Sequence, residues 1–307
     1  MAEAPAGRVV AVVGPTATGK SELAVALAQR LDGEVVNADS MQLYRGMDIG
    51  TAKLAAELRG GVPHHLLDVW PIGKSAAVAE YQQLARAAIA AIHARGQLPI
   101  VVGGSGLYLR GALDRLEFPG ESAAIRGRLL RELAACGPQS LHARLNAIDP
   151  PAAAAILPTN GRRIVRALEV IELTGRPFTA RMPAFESVYD TAQIGLDRDD
   201  LDERVEARVA TMMAAGLLDE VRALLPYGLR ASPTAGKALG YAQLLRVLDD
   251  TGAVVGELTA AVAETVRATR RFVRRQRSWF RRDPRVRWFD AADRRLPDVV
   301  IRVLRPS

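Results

Sequence analysis

The chain has 307 residues, 49% of them hydrophobic and 24% charged, a composition that excludes disordered and collagen-like chains. No apolar run approaches the ~18 to 20 residues that cross a bilayer. Its 41 basic and 34 acidic residues give +7, and position matters more than the total: residues 267–287 hold ten arginines and one acid, Asp283, leaving a slightly negative remainder.

The N-terminal MAEAPAGRVVAVVG lacks a basic region ahead of its short apolar run, so no signal peptide is expected. Val9-Val10-Ala11-Val12-Val13 is β-branched and ends in glycine, the pattern of a buried parallel strand. Ser21 to Leu31 is rich in Ala and Leu and stops at Asp32-Gly33, which predicts a helix. Glu34 to Ala38 reads as a second strand, ending at Asp39-Ser40. Residues 75–95 read as a helix. Leu98 to Val102 is a third strand, ending in Gly103-Gly104-Ser105-Gly106. Such alternation implies right-handed βαβ units and a doubly wound parallel sheet.

The pattern changes near Phe118. From there to about Pro183 only helices and turns are expected, with helices over Ile125 to Ala135, Gln139 to Ala147 and Asn160 to Leu173. Pro150-Pro151 and Thr174 to Pro177 read as breaks. Val188 to Leu196 could return as a strand, after which helices dominate. The expected fold is α/β: a P-loop three-layer core with a parallel sheet, built from residues 1–117 and 188–307, interrupted by a helical insertion at 118–187. One cysteine, Cys136, forbids an intrachain disulfide and fits a reducing cytoplasm. Four histidines give no zinc spacing, and the pair His64-His65 is expected to be structural.

Gly14-Pro15-Thr16-Ala17-Thr18-Gly19-Lys20-Ser21 fits G-x-x-x-x-G-K-[ST], the ATP-binding type of phosphate loop, in the required place between a strand and a helix. Its N–H groups and the helix start would face an anion. Lys20 would neutralise phosphate oxygens and the Ser21 hydroxyl would ligate Mg²⁺. A phosphotransferase of this type also needs an acid on a neighbouring strand for the metal, and LPIVVGGSG ends without one. The acid at a strand end is instead Asp39, in DSMQ. The loop need therefore hold only a diphosphate, which can be a leaving group, while a carboxylate in the same crevice takes a proton from an attacking amine or hydroxyl.

From Val266 to Arg282 a helical phase of ~100° per residue separates two arcs. Val266, Phe272, Val273, Trp279 and Phe280 fall on one side. Arg267, Arg270, Arg271, Arg274, Arg275, Arg277, Arg281 and Arg282 fall on the other. Eight positives with no negative among them call for an anionic partner, and nucleic-acid phosphates fit better than a membrane because the apolar arc must pack on the protein. Arg162, Arg163 and Arg166 form a second basic face at the start of a helix, where they oppose its dipole.

GPTATGKS, DSMQLYRGMDIGTAK, VPHHLLD, VVGGSGLYLRG, RRIVRALEV and TRRFVRRQRSWFR occur in that order from Gly14 to Arg281. As a set they resemble the bacterial tRNA dimethylallyltransferases, also called tRNA isopentenyltransferases. The resemblance implies transfer of a dimethylallyl group from dimethylallyl diphosphate to N6 of the adenosine 3′ of the anticodon, in tRNAs reading codons that begin with U. It implies that Gly14 to Ser21 and Arg208 hold the diphosphate with Mg²⁺, that Asp39 is the general base, that Lys20 stabilises the departing diphosphate, and that the Ser105 hydroxyl contacts substrate. Ser40, Met41 and Gln42 would meet a flipped-out base. Ser105 stands where the family usually has Thr, keeping the hydroxyl and losing the methyl. Arg126, Arg162, Arg163, Arg166, Arg270, Arg274 and Arg275 would contact the tRNA anticodon arm. A monomeric cytoplasmic enzyme without membrane association is expected. The rivals are a P-loop nucleotide kinase or ATPase with a basic surface, and an RNA-binding protein with a relic loop.

Overall fold

The computed structural model describes residues 6–178 and 185–304. Its first unit joins residues 1–115 with 187–307, and its second spans 116–186. In the first unit β1 (Ala6–Val13) leads into α1 (Lys20–Leu31), whose C-cap Asp32 is left-handed. There follow β2 (Gly33–Asn37), the two-residue β3 (His64–His65), α2 (Val78–Ala94), β4 (Leu98–Gly103) and α3 (Gly106–Leu113).

The second unit holds α4 (Ala123–Ile148), α5 (Pro150–Ala155) and α6 (Gly161–Thr174) around Leu129, Leu141, Leu145, Ile164 and Leu168. Gly137 (φ 77°) interrupts α4 between the two expected helices. The break expected at Pro150-Pro151 is the boundary between α4 and α5: the prolines open α5, where a missing N–H costs nothing, and the Asp149 side chain caps Ala152 N at 3.1 Å. Residues 179–184 of the expected insertion lie outside the described residues.

The chain returns to the first unit as β5 (Tyr189–Asp197), α7 (Leu201–Ala214), α8 (Leu217–Leu224), α9 (Tyr241–Leu244) and the long α10 (Leu258–Phe280). It closes with β6 (Val286–Asp290) and α11 (Leu296–Leu304). The sheet order is β3-β2-β4-β1-β5-β6, and every pairing is parallel. Two strands depart from the expectation. β6 lies where the sequence predicts a helical C-terminus, because two arginines flank its first residue and its five residues carry little pattern. β3 consists only of His64 and His65 pairing with Val35 and Val36.

Alternation in β1 divides the core into two layers. Val9, Ala11 and Val13 share one with Ile89 and Ile92 of α2, Leu109 of α3 and Phe280 of α10. Val10 and Val12 face Leu23 and Leu27 of α1 and Val300 and Leu304 of α11. Burial of side chains this size contributes about 1.5–3 kcal/mol each, so both faces of the sheet are committed to packing. What the sheet leaves free is its carboxyl edge. On the other edge, His65 Nε2 meets the buried Glu34 carboxylate at 2.5 Å, and Arg95 reaches it at 2.8 Å. The histidine pair is accordingly part of the sheet edge, and the described residues hold no group of three His, Cys, Asp or Glu arranged for a metal.

Candidate active site

The carboxyl ends of β1, β2 and β4 open on one crevice. At the end of β1 the chain turns through Gly14 at φ +133°, and a Cβ there would lie 2.3 Å from the Leu196 carbonyl oxygen. Only glycine fits. Three residues on, Ala17 is left-handed at φ 67°, a conformation costing a non-glycine residue roughly 1–2 kcal/mol. The turn is tied internally by Thr18 Oγ1, which donates to Pro15 O at 2.9 Å, and by Lys20 Nζ, which donates to the same oxygen at 2.5 Å. Outside ties come from α7 and α10: Arg204 Nε donates to Ala17 O at 2.9 Å, and Thr16 N donates to Gln276 Oε1 at 3.0 Å.

Asp39 follows β2 in a turn built by Asn37. Its N–H donates to Asn37 Oδ1 at 2.9 Å, and Asn37 Nδ2 donates back to Asp39 O and across to Leu66 O, both at 3.0 Å. Met41 N donates to Asp39 Oδ1 at 2.9 Å. Oδ2 accepts no hydrogen bond among the described residues. After β4, Ser105 precedes α3; its hydroxyl accepts from Ser40 N at 3.2 Å and lies 3.2 Å from the Ser40 hydroxyl. β4 ends at Gly103 and brings no carboxylate of its own; the carboxylates lining the larger cavity come from other segments, Asp39 after β2 among them.

Two cavities meet at this crevice. The larger, about 1010 Å³, is lined by Gly19, Lys20, Ser21 and Gln42 and closed by α7. The smaller, about 450 Å³, is lined by Ser40, Met41, Ser105, Phe272 and Arg275. Thr16, Asp39, Thr51, Arg208 and Met212 line both. Asp39 thus stands between a phosphate loop on one side and a wall of hydroxyls, apolar groups and a few cations on the other.

Both cations at the junction are short of anions. Burial brings the Lys20 ammonium down to about 8, Arg208 adds to the effect, and Asp39 and Glu22 oppose it. Burial also lowers Arg208, against the pull of Asp39 and Glu22. Arg208 makes no hydrogen bond or ion pair among the described residues. Two desolvated, undercompensated cations beside a nest of backbone N–H groups make a site for a polyanion.

The arginine face of α10 differs from its expected state. The sequence window held no acid in that arc, but neighbouring segments supply several. Arg270 pairs with Glu206 at 2.8 Å, Arg277 and Arg281 with Asp197, and Arg267 and Arg271 with Glu264. Arg274, Arg275 and Arg282 are exposed, and none of the three is ion-paired among the described residues. Arg275 stacks over Phe272, 5.6 Å from its ring centroid. In the second unit, Arg126 and Arg166 both pair with Glu169, whose side chain is wholly buried. Arg162 and Arg163 are exposed at the start of α6. Gln42 donates to Thr51 O and Ala52 O and faces the larger cavity, apart from Ser40 and Met41.

Three residues bearing on the site were not singled out in sequence. Arg204 and Gln276 hold the phosphate loop. Glu220 accepts from the N–H groups of Asp48, Ile49 and Gly50 at 2.7–3.0 Å and so fixes the segment before Thr51. Gln276 had a legible signal: at ~100° per residue it falls inside the apolar arc of α10, where an amide must find buried partners.

Residues 42–283 match the family model described as IPP transferase. A tRNA dimethylallyltransferase of Streptomyces avermitilis is 66% identical over 292 residues, covering 94% of this chain and 92% of its own. One from Salinispora tropica is 61% identical over 306 residues, covering 98% and 94%. Among solved structures, the tRNA isopentenylpyrophosphate transferase of Bacillus halodurans aligns with a TM-score of 0.70 at 42% identity, over 97% of this chain and 95% of that one. A eukaryotic dimethylallyltransferase acting on tRNA aligns at 0.81 and 26% identity, over 97% and 78%.

Proposed function

We infer the reaction from one premise, that this chain belongs to the IPP transferase family and is a prenyltransferase that modifies tRNA. Within that class we propose that it moves a dimethylallyl group from dimethylallyl diphosphate to N6 of the adenosine 3′ of the anticodon, in tRNAs reading U-initial codons. The observation that carries the reading is the position of Asp39, on the wall shared by the two cavities. A diphosphate in the larger cavity and a base in the smaller would meet beside its Oδ2.

In this reading N6 attacks the allylic carbon C1 and the C1–O bond breaks. Its electron pair leaves with the diphosphate, and the N6 proton passes to Asp39 Oδ2. Lys20, the loop N–H groups and Arg208 take up the charge that develops on the leaving oxygen, in a site already organised for it. The Ser21 hydroxyl lines the larger cavity and has no hydrogen-bond partner among the described residues. It is an oxygen donor of the kind Mg²⁺ takes. Mg²⁺ held there with the diphosphate supplies further neutralisation of the leaving charge. Ser40, Met41 and Ser105 line the cavity that would receive the base, which must leave its stack to enter. Gln42 would act from the other side, by fixing the Thr51 turn.

For the RNA we assign phosphate contacts first to Arg274 and Arg275, together with Arg162, with Arg163 a further candidate at the start of α6. Arg126, Arg166 and Arg270 reach a phosphate only by giving up or sharing Glu169 and Glu206. The unit at 118–187 is taken as the tRNA-binding insertion, and the enzyme as a monomer of the cytoplasm.

The test is incubation with Mg²⁺, unmodified tRNA and isotopically labelled dimethylallyl diphosphate, beside an ATP-hydrolysis assay. Label is expected in the tRNA at the adenosine 3′ of the anticodon, with no steady ATP turnover. ATP turnover without label would instead favour a P-loop phosphotransferase.

A further inference from the structure

The helix that carries the arginines also holds the phosphate loop in shape. The inward face of α10 presents Gln276, 5% exposed, as a strut with two hydrogen bonds. Its Oε1 accepts from Thr16 N at 3.0 Å, and its Nε2 donates to Gly104 O at 2.9 Å. A Cβ on Gly104 would fall 2.3 Å from that Nε2, so the glycine after β4 is what lets the amide approach. One turn earlier, Val273 packs on the Ala17 methyl with Leu201 and Val205 of α7. The strained Ala17 is therefore flanked on both sides by contacts from outside the loop.

A backbone conformation this unfavourable persists only where its surroundings enforce it. The turn's internal ties, from Thr18 and Lys20, both end on Pro15 O, and neither reaches Thr16 or Ala17. Two outside side chains do: Gln276 accepts from Thr16 N, and Arg204 Nε donates to Ala17 O. We propose that Gln276 is a positioning residue for the diphosphate: it holds Thr16 and, with Val273, keeps Ala17 left-handed, so that the loop is shaped for the anion before it arrives. The assignment rests on the reading of this loop as the diphosphate site and extends it to a side chain that touches neither substrate. Pre-organisation of this kind appears as affinity, because an unbraced loop must be ordered when the ligand binds.

The probe is inorganic pyrophosphate with Mg²⁺, titrated calorimetrically into the full chain, with binding of an anticodon stem-loop measured separately. The first variant is Gln276→Met, which keeps the volume and removes both hydrogen bonds. Pyrophosphate Kd is expected to rise about tenfold, the worth of one or two buried hydrogen bonds, with stem-loop affinity unchanged. In turnover the KM for the prenyl diphosphate should rise while kcat at saturation holds. The second variant is Ala17→Gly, since glycine enters the left-handed region freely. In that background the penalty of Gln276→Met should shrink, a non-additivity that a general loss of stability would not produce. An unchanged pyrophosphate Kd in folded Gln276→Met, equal loss of both affinities, or full additivity with Ala17→Gly would each overturn the assignment. Failure of the wild-type chain to bind pyrophosphate would instead sink the diphosphate reading, and it is seen before any variant is made.

Discussion

Replacing Lys20 by arginine should remove a pH dependence that this structure builds into diphosphate binding. Burial brings the Lys20 ammonium down to about 8, with Arg208 adding and Asp39 and Glu22 opposing. A polyanion bound against it favours the charged form and raises that value. Binding is then strongest where Lys20 is already protonated, below pH 8, and weakens as pH rises through 8 because a proton must be taken up with the ligand. With a free-state value near 8, the protonated fraction falls about tenfold between pH 7 and pH 9, and Kd should rise by about the same factor. The ligand's own ionisation is the same for both proteins, so the ratio of wild-type to Lys20→Arg affinity isolates the enzyme's group. Arginine stays charged throughout, so in the variant only the ligand's contribution should remain. Calorimetric titration of pyrophosphate at pH 7, 8 and 9 measures it, and two buffers of different ionisation enthalpy count the proton directly. Identical pH profiles for the two proteins would refute the claim that Lys20 is a buried, titrating contact of the diphosphate.

Asp39→Asn should abolish label transfer while leaving pyrophosphate and stem-loop affinities near wild type; equal losses in binding and rate would remove its role as base. Joint replacement of Arg274, Arg275 and Arg282 by Gln should flatten the salt dependence of tRNA binding by up to about two to three units of log–log slope. The same change at Arg267 and Arg271, both paired with Glu264, should alter it less. Glu169→Gln should destabilise the second unit by about 1–3 kcal/mol, the worth of weakened hydrogen bonds at a buried carboxylate whose arginine partners stay partly in solvent, read by thermal unfolding. Burial works to raise that carboxyl, but the Ser122 N–H, Arg126 and Arg166 overcome it and hold it below its ordinary value. The stability it contributes is therefore present above the usual glutamate range and lost as pH falls below that range through the lowered folded value.

Local chemistry written in consecutive residues was readable from the chain. The phosphate loop announces itself because glycines, lysine and serine must stand at fixed offsets for the backbone to wrap an anion. The β1 strand is legible because a parallel strand buried on both faces needs an unbroken apolar run, and α10 because 3.6-residue periodicity separates its faces. The order of motifs indicated the family, and with it the chemistry expected of Asp39. β6 was lost because a five-residue strand with arginine at its second position has no pattern of its own. It exists because Val286 to Asp290 finds the open edge of β5.

What only the tertiary structure decided is which charges are spent and which are free. The window of α10 showed a face without acids, but Asp197 and Glu206 reach it from β5 and α7; Glu264, two residues before the window, pairs within the same helix, where spacing alone places it. Arg126 and Arg166 looked alike as surface cations until both closed on buried Glu169. Conversely, Arg208 gains its meaning only where α7 brings it beside Asp39 and Lys20. Electrostatic pairing depends on separations of a few ångströms, and sequence spacing sets those separations within one helix but not between elements. The sequence therefore specified the tools of the site, while packing of α7 and α10 against the sheet settled which of them face the substrate.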